Sequence, residues 1–190
     1  MEFKGANLLY ALAGLMVTFA GFTALLLALR PAAGVRLSLL DRFLAKTVMT
    51  HIIILTAGAL LPALLALYDI PENWIWRGSA VLFALPMLSF QVTYPRRRRK
   101  VAGEGPPPAI TAILVVLGAA VTLAMLGYVL AGFPYSAAVY VTALTIDFFT
   151  VAFSFVIATD VIMRQPLEAS EQLAGRELMN DALPASISEP

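Results

Sequence analysis

The sequence predicts an all-α integral membrane protein of five transmembrane helices, with the N-terminus outside and the C-terminus cytoplasmic. Three observations carry that prediction. Hydrophobic residues make up 60% of the 190 and charged residues only 13%, about half the charged share of an ordinary soluble domain. The apolar residues are gathered into five stretches of about 20, the length that crosses a bilayer as a helix. The basic residues fall almost entirely into alternate loops, as a fixed orientation requires.

Apolar windows place the spans at about 8 to 29, 47 to 68, 74 to 94, 109 to 131 and 136 to 162. The first follows only Glu2 and Lys4, and it exceeds the ~7 to 15 residues of a secretory apolar region, so it reads as a retained helix. Arg30-Pro31-Ala32-Ala33-Gly34, Asp69-Ile70-Pro71-Glu72-Asn73, Gly103-Glu104-Gly105-Pro106-Pro107-Pro108 and Gly132-Phe133-Pro134 separate the spans. Proline and glycine stop and restart helices at such places. Residues 1–165 form one membrane domain, and 166–190 form a polar, acidic cytoplasmic tail.

Arg30, Arg36, Arg42 and Lys46 lie between spans one and two, and Arg96, Arg97, Arg98, Arg99 and Lys100 between spans three and four. Arg164 and Arg176 follow span five, leaving Lys4 and Arg77 for the other side. The positive-inside rule makes the heavily basic side cytoplasmic, and an odd number of spans then puts the termini on opposite sides. Tyr68, Trp74, Trp76 and Tyr135 cluster at the outer ends of spans, where amphipathic rings anchor. The run Arg96 to Lys100 abuts an apolar span, so it reads as a topology signal that touches anionic lipid headgroups and not as a nucleic-acid site. In the tail, 166 to 183 reads either as a short helix packing on a partner or the membrane surface, or as a solvated segment. Residues 184–190 are expected to be disordered.

Span five carries the sharpest feature. Ser136, Tyr140, Ala143, Asp147, Thr150, Ser154 and Ala158 recur at steps of three and four, which places them on one helical face. Phe149, Phe153 and Val156 take the opposite face. Asp147 falls near mid-span, where a charged carboxylate costs about 2.5 to 3.5 kcal/mol on insertion scales. Protonation, a hydroxyl such as Thr150, a cation or a water-filled cavity must compensate. The stripe describes either a hydrated path with Asp147, Thr150, Ser154 and Tyr140 along it, or a tight helix contact in which Asp147 is interhelical glue. His51 enters span two from the cytoplasmic side at a depth comparable with Asp160, which lies about 140 degrees around the helix from Asp147. The two are candidates for an inner mouth, against a reading of His51 as a neutral core imidazole. Arg77 is expected to pair with Asp69 or Glu72 in its own short loop.

Other signals concern packing. Asn7, Ala11, Gly14, Thr18, Gly21 and Ala28 in span one, and Ala120, Ala124, Gly127 and Ala131 in span four, form small-residue seams suited to close helix contact. Ser79, Pro86, Ser89 and Thr93 share one side of span three, and Pro62 and Pro86 should kink their helices.

With no cysteine and one histidine, thiolate chemistry, disulfides, metal clusters and bis-histidine haem are not expected, nor is any cofactor. No span holds a lysine for a retinal Schiff base, and no nucleotide, zinc or protease motif is present. Catalysis is not expected, a lipid-acting enzyme built on Asp147, His51 and Asp160 being disfavoured by their separation. Two functions are expected instead. One is a small homo-oligomeric ion channel or proton-linked permeation protein, with Asp147 lining the path. The other is a non-catalytic accessory or assembly subunit, docking through the seams and the C-terminal tail. Membrane lipid is the expected surrounding, nucleic acid is not a partner, and short loops suit a bacterial inner membrane.

Overall fold

The structure, a computed structural model, describes residues 5–32, 38–102 and 109–182, with side chains described in 5–29, 38–102, 109–157 and 159–160. The linkers at 33–37 and 103–108, with Arg36, and residues 183–190 therefore lie outside the described part, as do the side chains of Arg30, Ala158, Arg164, Arg176 and the acidic residues of the tail. Five helices follow in order: α1 Ala6–Ala32, α2 Leu39–Ala66, α3 Glu72–Ala102, α4 Ala109–Leu130 and α5 Ser136–Ala182. Among the described residues there is no strand. Each helix contains a stretch long and apolar enough to cross a membrane, the last being Ser136–Ile157. This architecture is compatible with an integral membrane protein.

The surface is that of a molecule immersed in hydrocarbon. Leu8, Leu15, Val17, Phe22, Leu85, Val92, Val116 and Phe149 are all exposed, while His51, Ser79, Gln91, Thr122, Asp147 and Thr150 are buried. In water, apolar surface on that scale would aggregate. Lipid makes it the matching solvent, and polar groups then belong inside.

Three boundaries differ from the sequence expectation. Helix α2 begins at Leu39 because Ser38 and Asp41 form a capping box: the Asp41 amide donates to Ser38 Oγ at 3.1 Å and the Ser38 amide to Asp41 Oδ2 at 3.0 Å. This satisfies two of the amides that a helix start leaves unpaired, so Arg42 and Lys46 ride in helix. Helix α3 continues through the basic run to Ala102. Helix α5 extends to Ala182, so the segment expected as a separate short helix or a solvated tail is continuous with span five. Its Leu, Glu, Gln, Ala, Arg and Met content favours helix in water as well as in lipid. At ~1.5 Å per residue, the 47 residues of α5 reach about 70 Å, more than twice the ~30 Å hydrocarbon core.

Neighbours in sequence pack side by side, with α5 closing the bundle between α1 and α4 and also reaching α2 and α3. Leu9, Met16, Ile52, Leu55, Phe83, Met87, Met125, Val129, Tyr140 and Leu144 make one core. The predicted small-residue seams do not join it. Asn7, Ala11, Gly14, Thr18, Gly21 and Ala28 all lie on the exposed side of α1, as Ala120, Ala124, Gly127 and Ala131 do at α4. A Cβ added at Gly14, Gly21 or Gly127 would meet nothing within 4 Å. The larger Leu9, Leu12 and Met16 of α1, and Met125 and Val129 of α4, face the core instead, since they make more dispersion contacts there than glycine or alanine can.

The predicted side of α3 is also divided. Ser79 is buried, whereas Pro86, Ser89 and Thr93 are exposed. Arg77 lies over the Trp74 ring at 5.5 Å, with its guanidinium against Gly132. There it makes a cation–π contact and not the expected pairing with Asp69 or Glu72.

Candidate functional site

The polar face of α5 is turned into the bundle. Tyr140, Ala143, Asp147 and Thr150 are buried and Ser154 half-buried, while Phe149 is 65% and Phe153 50% exposed. An axis shared by several copies would therefore meet the phenylalanines and not Asp147.

Asp147 is fully buried and has few partners. Thr122 Oγ1 donates to Asp147 Oδ2 at 3.4 Å, but the same hydroxyl lies at 2.9 Å from the Gly118 carbonyl. One hydroxyl proton cannot serve both acceptors well, and the shorter contact takes most of it. Asp147 Oδ1 accepts no hydrogen bond. The carboxyl thus sits mid-bundle, facing α4, with almost nothing to offset its lost hydration.

One turn away a cavity of about 90 Å³ opens, lined by Thr47, His51, Gln91, Thr111, Thr150 and Ser154 together with Leu44, Phe90, Tyr94 and other apolar residues. At ~30 Å³ per molecule in the liquid, it has room for a few waters. Two of these hydroxyls have spent their protons on their own helix: Thr150 Oγ1 donates to the Ile146 carbonyl at 3.1 Å and Ser154 Oγ to the Thr150 carbonyl at 2.8 Å. Their oxygens remain acceptors for a water or a cation. His51 Nε2 and Gln91 Oε1 are buried and unpartnered, and such groups in a roomy polar site are what ordered water satisfies. The cavity lies in the half of the bundle that carries the basic run, here the basic end.

Toward the opposite end the bundle is closed. Trp76, Phe83, Met87, Met125, Val129, Tyr140 and Leu144 are all at most 2% exposed. Tyr140 sits in this plug, its ring 5.8 Å from Trp76 and 6.2 Å from Phe83. Its hydroxyl donates to the Gly58 carbonyl at 2.7 Å. Pro62 explains that bond: with no amide hydrogen, it leaves the carbonyl four residues back without its helical donor, and Tyr140 supplies one from another helix. Tyr140→Phe should therefore cost about 1 to 2 kcal/mol, read as a lower unfolding temperature in detergent with helix content unchanged. Beyond the plug, an open groove of about 710 Å³ is lined by Glu72, Asn73, Trp76, Tyr135, Ser136 and neighbours.

Of the sequence candidates, Thr150, Ser154 and His51 meet at the cavity, Asp147 lies just beyond its wall, and Tyr140 belongs to the plug. Asp160 is on the exposed surface of α5 and does not line the cavity. Arg96, Arg99 and Lys100 are exposed at the basic end. Arg97 is folded back, over the Phe90 ring at 4.6 Å and donating to the Phe90 carbonyl at 2.9 Å.

Gln91, Thr122 and Gly118 complete the surroundings of Asp147, and they come from α3 and α4. Their signals in the sequence are slight: one amide inside an apolar span, and a glycine one turn before a threonine. Among the described residues no group of histidines and carboxylates could hold a metal ion. No protein-family model, curated protein or solved structure is significantly similar to the chain.

Proposed function

We propose that the chain is a proton-linked permeation protein of a bacterial inner membrane, in which a hydrated cavity open to the cytoplasmic side exchanges protons with Asp147. The observation that carries this reading is a fully buried carboxyl with one oxygen unpartnered, lying just past a cavity walled by hydroxyl acceptors, an amide and the only histidine. A core that needed only packing would place an apolar residue at 147. The positive-inside rule orients the basic end to the cytoplasm, which puts the N-terminus outside. The dry plug above Asp147 and the small cavity below it favour a proton over a hydrated metal ion as the moving species. Each protomer then carries its own path, and copies associate through the exposed small-residue faces of α1 and α4.

The test is wild-type protein in liposomes under imposed pH and potassium gradients. Proton flux above empty liposomes, with sodium and potassium flux at background, is the expected result. Absence of proton flux in both directions would overturn it.

The outward-facing seams also favour a second reading, an accessory or assembly subunit whose docking faces are α1 and α4. Its mark is a different membrane protein retained in stoichiometric amount after gentle extraction, identified by native mass analysis, from a preparation that conducts nothing alone.

A further inference from the structure

Resting on the permeation reading, we propose that Gln91, seated in a notch that glycine at 118 leaves open, is the gate between the inner cavity and Asp147. Gln91 is on the cavity wall; Asp147 is not. A Cβ built on Gly118 would lie 2.7 Å from Gln91 Nε2 and 3.3 Å from Asp147 Oδ1. The position the missing methyl would occupy is therefore flanked by the Gln91 amide on one side and the Asp147 carboxyl on the other. The same turn of α4 holds the far side of the carboxyl, through Thr122 Oγ1 and Asp147 Oδ2.

The side chain suits a gate. Gln91 is buried to 4% exposure, and its Oε1 accepts nothing. A leucine or methionine there would pack without an orphaned acceptor. A neutral amide both donates and accepts, so in the notch it holds water off the carboxyl without binding a cation by charge, and when it swings aside a water carries the proton to and from Asp147. Thr150, a cavity residue one turn from Asp147, has its hydroxyl proton committed to the Ile146 carbonyl, which leaves Gln91 as the cavity's polar side chain nearest the unpartnered Oδ1.

The prediction is read on Asp147 itself, as the rate at which its carboxyl band in the infrared spectrum shifts in deuterated buffer, assigned by its absence in Asp147→Asn. Gly118→Ala puts a methyl into the notch and should slow exchange about tenfold. Gln91→Ala empties it and should speed exchange about tenfold. The double variant, with room for the methyl restored, should return to within about threefold of wild type, the non-additivity of groups in contact. Helix content and unfolding temperature serve as controls. If Gly118→Ala does not fold, Gln91→Ala and the double variant still decide.

Exchange in folded Gln91→Ala at the wild-type rate overturns the gate. A protein that shows the expected exchange pattern but no proton flux refutes the permeation reading and leaves the gate standing. Proton flux with exchange indifferent to Gln91 does the reverse.

Discussion

Asp147→Asn is expected to abolish proton flux while the protein folds and assembles as before. Asparagine keeps the size of the side chain and can still meet Thr122, whose contact with Oδ2 is long, at 3.4 Å, so little packing is lost. What it cannot do is take up and release a proton. Losing a positioned proton-transfer group lowers rates by about a hundredfold or more, and the neighbouring hydroxyls titrate too far from neutrality to replace it. Asp147→Glu separates chemistry from geometry: it retains a titrating group, so partial flux is expected, limited by an extra methylene beside Gly118. The comparison is made at equal protein density, with oligomeric state measured on the same samples. If instead Asp147 is interhelical glue, Asn conserves flux and changes only stability.

The largest effect on folding is expected at Gly58. A Cβ there would stand 2.5, 3.0 and 3.2 Å from three ring atoms of Phe83, closer than packed carbon atoms tolerate. Phe83 is 1% exposed and backed by Tyr140, so the ring has no room to retreat without disturbing the Tyr140 bond to the Gly58 carbonyl. Alanine gains up to ~1 kcal/mol of helix propensity over glycine, but overpacking costs ~1 to 3 kcal/mol and more where the neighbours are rigid. The clash wins, because one substitution strikes both the α2–α3 contact and the hydrogen bond that repairs the Pro62 defect. Gly58→Ala should lower the unfolding temperature sharply, and adding Phe83→Leu should recover part of the loss. Gly14→Ala and Gly127→Ala, whose added methyls meet nothing, should leave the isolated protein as stable as wild type or slightly more so.

These contrasts show which information resides in the chain order and which only in the packing. The five spans were legible because a bilayer demands continuous apolar length, and Asp147's face was legible because a helix brings residues three and four apart onto one side. Its partners were not. Gln91 and Thr122 lie on other helices, and nothing local says which face of α3 or α4 will meet α5. The small-residue seams show the same gap: their spacing on α1 and α4 is regular, but spacing does not state whether a seam meets a sister helix, another protein or lipid, and here both point outward. The early start of α2 was local information of another kind. Ser38 and Asp41 stand at capping-box spacing, a signal that a hydropathy reading passes over because Arg42 and Lys46 follow. Pro62 was readable as a helix breaker, whereas the repair of its defect by Tyr140 at the Gly58 carbonyl depends on residues far apart in sequence.

For Asp147 to exchange protons through the cavity, water must reach the level of Ser154 and Thr150 from the basic end and stop below the plug. Since the chain has no cysteine, single-cysteine variants report that directly. Ser154→Cys, nearly isosteric, and Ala80→Cys, fully buried on α3, are exposed in sealed vesicles to silver ions from each side in turn, and the remaining thiols are counted after denaturation. Ser154→Cys is expected to be blocked from the basic side alone and Ala80→Cys from neither. An unreactive Ser154→Cys would contradict this, as would an Ala80→Cys blocked as readily.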